Sequence, residues 1–215
     1  MRDIPFLRTH SYFSFLESLL SPEDLVSYAQ KTGLQTLGLT DHRYLTGSIA
    51  FYEMCKYAGI KPIIGLEVDL NYQGYEGLIT LLAKDINGWE NLSQISSQML
   101  IEDRNLTCNN LREHNQGVIC ILGDPRGPLR KLLFTSPATQ DFPGKCLEEI
   151  REVFHQDCFV EIQRFSDGPL QNEGALLTLA REHHIPIIAA QNIFYAAPKD
   201  QSKYRTLSAI RLNTP

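Results

Sequence analysis

Seven short apolar runs punctuate the chain, and what lies between them is either helical in period or rich in turn-forming residues. The runs are Ile4–His10, Thr36–Thr40, Pro62–Val68, Leu78–Ala83, Val118–Leu122, Phe159–Gln163 and Ile185–Ala190. Several are β-branched and apolar at successive positions, as in parallel strands covered by helices on both faces. Between them, Ser21-Pro22-Glu23-Asp24 supplies an N-cap serine, a proline for the first helical position and an acidic first turn. Leu25, Tyr28 and Ala29 then share one face, and Gly33 suits a helix stop. Similar stripes run through Trp89, Leu92, Ile95 and Met99, through Leu147, Ile150, Val153 and Phe154, and through Leu176, Leu179, Ala180 and His183. Ile101–Gln116 and Phe134–Lys145 read as loops with at most a short helix. Such alternation favours an α/β barrel or a doubly wound sheet.

At 215 residues, 43% hydrophobic and 21% charged, the chain suits one soluble domain with a substantial core. A net charge of −5 and no long lysine or arginine run argue against autonomous DNA binding. The five cysteines form no CxxC pair and are odd in number, which points to reduced thiols and a cytoplasmic setting. No run reaches membrane-spanning length, and MRDIPFLRTH carries no signal-like apolar stretch. The chain has no GxGxxG or GxxxxGK[ST] phosphate cradle and no GxSxG nucleophile elbow, so those enzyme classes lose most of their support.

Polar residues gather where the apolar runs end. His10 follows the first, Asp41 and His42 the second, and Asp124 the fifth, while Glu67 lies inside PIIGLEV. In parallel α/β folds the carboxyl ends of strands share one rim, so residues distant in sequence meet there. Two histidines and three carboxylates on such a rim are suitable ligands for Zn²⁺ or Mn²⁺. Each also has a plain structural reading: Asp41 as a cap, Glu67 as half of an ion pair, His10 as a hydrogen-bonded core histidine.

The segment from HSYFSFLESLL through LGLTDH to GIKPIIGLEV resembles the polymerase and histidinol phosphatase (PHP) domain, and LLAKDINGWENLSQISS, IPIIAAQNIFYAAPKD and YRTLSAIRLNTP extend the likeness. The version it resembles stands at the N-terminus of bacterial DNA polymerase III alpha subunits. The resemblance implies a distorted TIM-like barrel of about seven parallel strands with outer helices. It also implies that residues 1–215 form a single PHP domain, the N-terminal fragment of a larger polymerase. In metal-binding members the first motif is His-x-His, the second Asp-His, and a glutamate follows on the third strand. Here those positions carry Arg8 and His10, Asp41 and His42, and Glu67. A later cysteine corresponds to Asp124, and the aspartate and histidine of the last motif correspond to Asn192 and Phe194.

A guanidinium donates hydrogen bonds, stays charged and cannot ligate a metal. Arg8 is therefore expected to pair with Asp41, Glu67 or Asp124 and to take over the charge of an ion. The resemblance thus implies a structural and docking module of a DNA-directed DNA polymerase in replication, with a degenerate metal site holding no metal or a weakly bound Zn²⁺ or Mn²⁺. Polymerisation and its Mg²⁺ would belong to a palm domain outside these residues. The expected partners are the remaining polymerase domains, a proofreading exonuclease subunit, and DNA through the parent protein. The alternatives are a residual metal-dependent phosphoesterase or 3′–5′ exonuclease using His10, Asp41, His42, Glu67 and Asp124, and a stand-alone histidinol-phosphatase-like enzyme.

Overall fold

A computed structural model describes residues 5–135, 141–165 and 168–214. In chain order the first elements are β1 (Arg8–Thr9), α1 (Pro22–Thr32), β2 (Thr36–His42), α2 (Ser48–Tyr57), β3 (Lys61–Tyr72) and β4 (Tyr75–Ala83). Then come α3 (Ile86–Glu102), α4 (Cys108–Glu113), β5 (Val118–Leu122), α5 (Pro128–Thr135), α6 (Phe142–Phe154), β6 (Cys158–Ile162), β7 (Arg164–Phe165) and β8 (Gly168–Pro169). The chain closes with α7 (Glu173–Glu182), β9 (Ile187–Ala189), β10 (Asn192–Ile193) and α8 (Gln201–Leu212). It packs as two compact units, Met1–Leu66 with Gln191–Pro215, and Glu67–Ala190.

In the first unit, β1 runs parallel to β10, pairing Arg8 with Asn192 and Thr9 with Ile193. A parallel bridge also links Phe6 to Leu37 of β2. Helix α1 starts as its sequence dictates: Ser21 Oγ accepts from the Asp24 amide at 3.0 Å, and the Asp24 carboxylate accepts from the Ser21 amide at 2.9 Å. Gly33 closes it at φ +72°. Leu25, Val26 and Ala29 of α1 pack with Leu37 and Leu39 of β2 and Phe51 and Cys55 of α2 into one core. Tyr28, which shares the sequence stripe with Leu25 and Ala29, is 40% exposed.

The second unit builds on the far half of β3. β3 and β4 are neighbours joined by Gln73 and Gly74, both at positive φ, the geometry of a tight hairpin. β4 pairs antiparallel with β5, then β5 with β6 and β6 with β9 are parallel. The order along the main sheet is β2-β3-β4-β5-β6-β9. It is a mixed six-stranded sheet, which corrects the expectation of about seven parallel strands. The hairpin is the cause, because two strands joined by a tight turn must run in opposite directions. The first expected strand also shrinks to Arg8–Thr9 with the Phe6 bridge, and its Ile4 lies outside the described residues. The loop expected over Phe134–Lys145 is interrupted at Phe142 by α6, and its residues 136–140 likewise lie outside the described residues.

All five cysteines are buried thiols. Among the described residues no helix is long and apolar enough to cross a membrane.

Candidate functional site

In the first unit the site begins with strand alternation. Thr9 turns its hydroxyl to the Gly38 carbonyl at 2.5 Å, and by strand alternation its neighbours Arg8 and His10 face the other way. Gly38 is required there, since a Cβ would stand 2.2 Å from the Leu7 carbonyl oxygen. Arg8 is fully buried.

Past His10 the chain folds into an irregular strap, residues 11–20. Its backbone is fixed by Tyr12 N–H donating to the Leu20 carbonyl at 2.7 Å and Leu19 N–H to the Phe194 carbonyl at 3.0 Å. The Ser18 hydroxyl lies 2.6 Å from the His10 carbonyl and 3.0 Å from that of Phe194, tying the strap to both strand ends.

That strap delivers two serines to Asp41 at the end of β2. Asp41 Oδ1 accepts from the Ser11 amide at 2.6 Å and the Ser14 hydroxyl at 2.7 Å, and Oδ2 accepts from the Ser11 hydroxyl at 2.6 Å. Burial pushes the Asp41 carboxyl above its ordinary range, against the pull of the serine bonds and of nearby His10. The carboxylate is thus held by neutral donors.

The histidines are engaged as well. His10 Nε2 lies 2.5 Å from Asn192 Oδ1, and its ring stacks on Phe194 with centroids 4.4 Å apart and planes 10° from parallel. Whichever way the amide is turned, that ring nitrogen already has a partner. His42 Nδ1 lies 2.8 Å from Glu17 Oε1, which also takes Arg211 Nη1 of α8 at 3.0 Å.

In the second unit Glu67 is fully buried within β3, and Asp124 is 3% exposed just beyond β5. Gly123, at φ +103°, turns the chain out of the strand, where a Cβ would meet the Glu161 carbonyl oxygen at 2.6 Å. Asp124 Oδ1 accepts from the Arg126 amide at 2.7 Å, closing a turn that brings the guanidinium back. Arg126 Nε then lies 3.3 Å from Asp124 Oδ1, and Nη2 lies 3.3 Å from Glu67 Oε2. Behind the loop, buried Arg130 donates from Nε to the Gly123 carbonyl at 3.1 Å and from Nη1 to the Gln171 carbonyl at 2.9 Å.

His10, Asp41 and His42 therefore share the first unit, and Glu67 and Asp124 share the second. The residues that hold them (Ser11, Ser14, Glu17 and Arg126) were not apparent from the sequence. The only signals were a Ser-x-x-Ser spacing after the first motif and an arginine two residues past Asp124. A Zn²⁺ or Mn²⁺ ion needs free lone pairs converging from several ligands. Here Asp41 is spent on serine donors, His10 Nε2 on an amide, and Glu67 and Asp124 on a guanidinium, so these residues as arranged do not fit a metal ion. Among the described residues no group of three or more histidine, cysteine, aspartate or glutamate side chains is placed to hold one.

A family model described as the PHP domain matches residues 7–165. DNA polymerase III subunit alpha of Bacillus subtilis is 32% identical over 95% of this chain and 19% of its own length. The subunit of that name from Borreliella burgdorferi is 30% identical over 90% of this chain and 18% of its length. The chain thus spans about a fifth of the length of these relatives. Among solved structures, an amidohydrolase from Chromobacterium violaceum with bound sulfate and no metal aligns over 94% of this chain and 96% of its own, at TM-score 0.61 and 11% identity. A protein from Bifidobacterium adolescentis described as a metal-dependent phosphoesterase aligns over 91% and 89%, at TM-score 0.52 and 13% identity. At that identity the likeness shows the fold alone.

Proposed function

Because the chain belongs to the PHP domain family and is homologous to part of DNA polymerase III subunit alpha, we propose that it serves a replicative DNA polymerase as an architectural and docking module rather than as a hydrolase. The single observation that carries this reading is the engagement of the candidate ligands by the protein's own groups, with Asp41 accepting three hydrogen bonds from Ser11 and Ser14. A hydrolytic metal centre requires a ligand cage and an open coordination position, and neither is compatible with lone pairs used in this way. The module would brace the remaining polymerase domains in the cytoplasm and offer a surface to a proofreading exonuclease subunit. DNA and Mg²⁺ would be handled by the palm domain of the parent.

The alternative is a residual metal-dependent phosphoesterase or 3′–5′ exonuclease, of which the first is the description carried by similarly folded proteins. The two readings separate in the full-length protein carrying Asp41→Ala. As architecture, Asp41 supports folding, so DNA synthesis and thermal stability should fall together, with no Mn²⁺- or Zn²⁺-dependent 3′–5′ cleavage to lose. Metal-dependent cleavage in the parent, abolished by Asp41→Ala at unchanged Tm, would favour the hydrolase.

A further inference from the structure

Helices α1 and α2 of the first unit share one core, yet their outer edges leave a groove of about 420 Å³ between them. Its floor is Val26, Met54 and Ala58, an extension of that core to the surface. The charged groups that line it are Glu23 of α1 and Glu53 of α2, both exposed. No lysine or arginine is among the described residues lining it. Tyr57 lines it too and is 97% exposed, so the fold itself makes almost no use of that ring. Ile49, Glu53 and Tyr57 follow one another every four residues along the outward face of α2, with exposed Tyr52 beside them.

Exposed apolar surface rimmed by polar groups marks an interaction site, and tyrosines are frequent anchors at protein interfaces. The sign of the rim selects the occupant. Two carboxylates repel a phosphate backbone or an anionic membrane, and they attract lysine or arginine placed beside an apolar anchor. We propose that the α1–α2 groove docks a basic amphipathic segment of a partner protein. Its apolar side chains would cover Val26, Met54 and Tyr57 while its lysines or arginines meet Glu23 and Glu53. This rests on the reading of the chain as a docking module and gives that role a surface and a partner chemistry. Because α1 and α2 are fixed by the core beneath them, the groove is preformed and needs little ordering on binding.

The experiment follows the fluorescence anisotropy of a labelled model peptide, about 15 residues of leucine and lysine in helical period, titrated with the full-length protein. Two control peptides replace the lysines by glutamate or the leucines by serine. The proteins are wild type, Tyr57→Ala, Glu23→Gln/Glu53→Gln, and Glu113→Gln/Glu182→Gln, which makes the same charge change on the second unit. All the substituted side chains are exposed, so Tm should stay within about 2 °C of wild type. Wild type is expected to bind the leucine–lysine peptide saturably and to bind neither control. Tyr57→Ala should weaken binding about tenfold. Glu23→Gln/Glu53→Gln should weaken it about fivefold, and Glu113→Gln/Glu182→Gln should leave it unchanged. No saturable binding by wild type, or equal affinity in all four proteins, overturns the proposal. Equal binding of the serine peptide, or equal weakening by Glu113→Gln/Glu182→Gln, also overturns it, since only diffuse attraction to a negatively charged chain would remain. Concentration-dependent self-association abolished by Tyr57→Ala would assign the groove to a second copy and overturn the partner. Any of these results leaves the architectural reading standing. Metal-dependent cleavage abolished by Asp41→Ala would remove that reading without changing peptide affinity.

Discussion

The first unit satisfies Asp41 with neutral donors, whereas the second satisfies Glu67 and Asp124 with a charge. The strap across residues 11–20 reaches Asp41 with an amide and two hydroxyls, neutral donors that occupy three of its acceptor sites. Its carboxyl is accordingly pushed up by burial. In the second unit a guanidinium contacts both carboxylates and offsets part of their charge, at the cost of fixing a long side chain from a tight turn. Buried carboxylates are thus accommodated in two physical ways within one chain, by neutral hydrogen-bond donors and by a guanidinium.

The largest effects should come from the glycines that make each arrangement possible. Gly38→Ala places a Cβ 2.2 Å from the Leu7 carbonyl oxygen, and Gly123→Ala combines φ +103° with a contact of 2.6 Å to the Glu161 carbonyl oxygen. Each should cost about 3 kcal/mol or more, read as a drop in the urea midpoint. The cost of Gly123→Ala should include loss of any Arg126 coupling, whereas that of Gly38→Ala should not.

Asp41→Ala comes next, at about 2–4 kcal/mol, because it strands a buried amide and two hydroxyls. Ser14→Ala removes one donor to Asp41 and the acceptor of the His42 amide, and should cost about 1–2 kcal/mol. A double-mutant cycle that finds the Asp41 and Ser14 effects additive would break the picture of a shared network.

Much of this was legible in sequence where one periodicity acted alone. Val118–Leu122 is a strand with the expected bounds, and α1 begins with the N-cap serine, first-position proline and acidic first turn that its sequence offers. The β3 strand runs to Tyr72, beyond the expected Val68, because Asp69 and Asn71 interrupt the apolar run and disguise continued pairing. The backbone there bonds to the segment before α4, with Leu106 N–H donating to the Asp69 carbonyl at 2.8 Å. Helix α8 left no stripe to find, since none of its residues is buried. Among the candidate residues, His10, Asp41 and Asp124 stand where apolar runs end and Glu67 stands inside one, as the sequence suggests. Ser11, Ser14 and Arg126 escaped because their roles arise from a strap and a turn, whose paths no short pattern encodes.

The thiols sharpen the contrast between units at alkaline pH. Burial is the leading cause in each case, raising Cys55 of the first unit to about 11 and Cys108 and Cys158 of the second to about 12. Unfolded thiols ionise near about 8.5. Stability linked to these groups is complete below that pH and is lost as pH rises through the folded values. The urea midpoint should hold to about pH 8.5 and then fall. Thiol-reactive dyes at high pH should label Cys55 before the cysteines of the second unit. Uniform labelling at neutral pH would contradict the burial.

Salt should give the smallest difference. The Arg126 side chain is 38% exposed, so 1 M NaCl should reduce the penalty of Arg126→Ala by about 0.5 kcal/mol. The penalty of Asp41→Ala, which rests on buried neutral donors, should be unchanged. Equal salt responses would erase the distinction between the two arrangements.

The most direct measurement is the ion content of the purified wild-type protein, by elemental analysis after equilibration with Mn²⁺ and Zn²⁺ and removal of free ion. Candidate ligands already engaged by serines, an amide and a guanidinium predict far less than one ion per chain, unchanged in Asp41→Ala. One or more tightly held ions per chain, lost on Asp41→Ala, would contradict it.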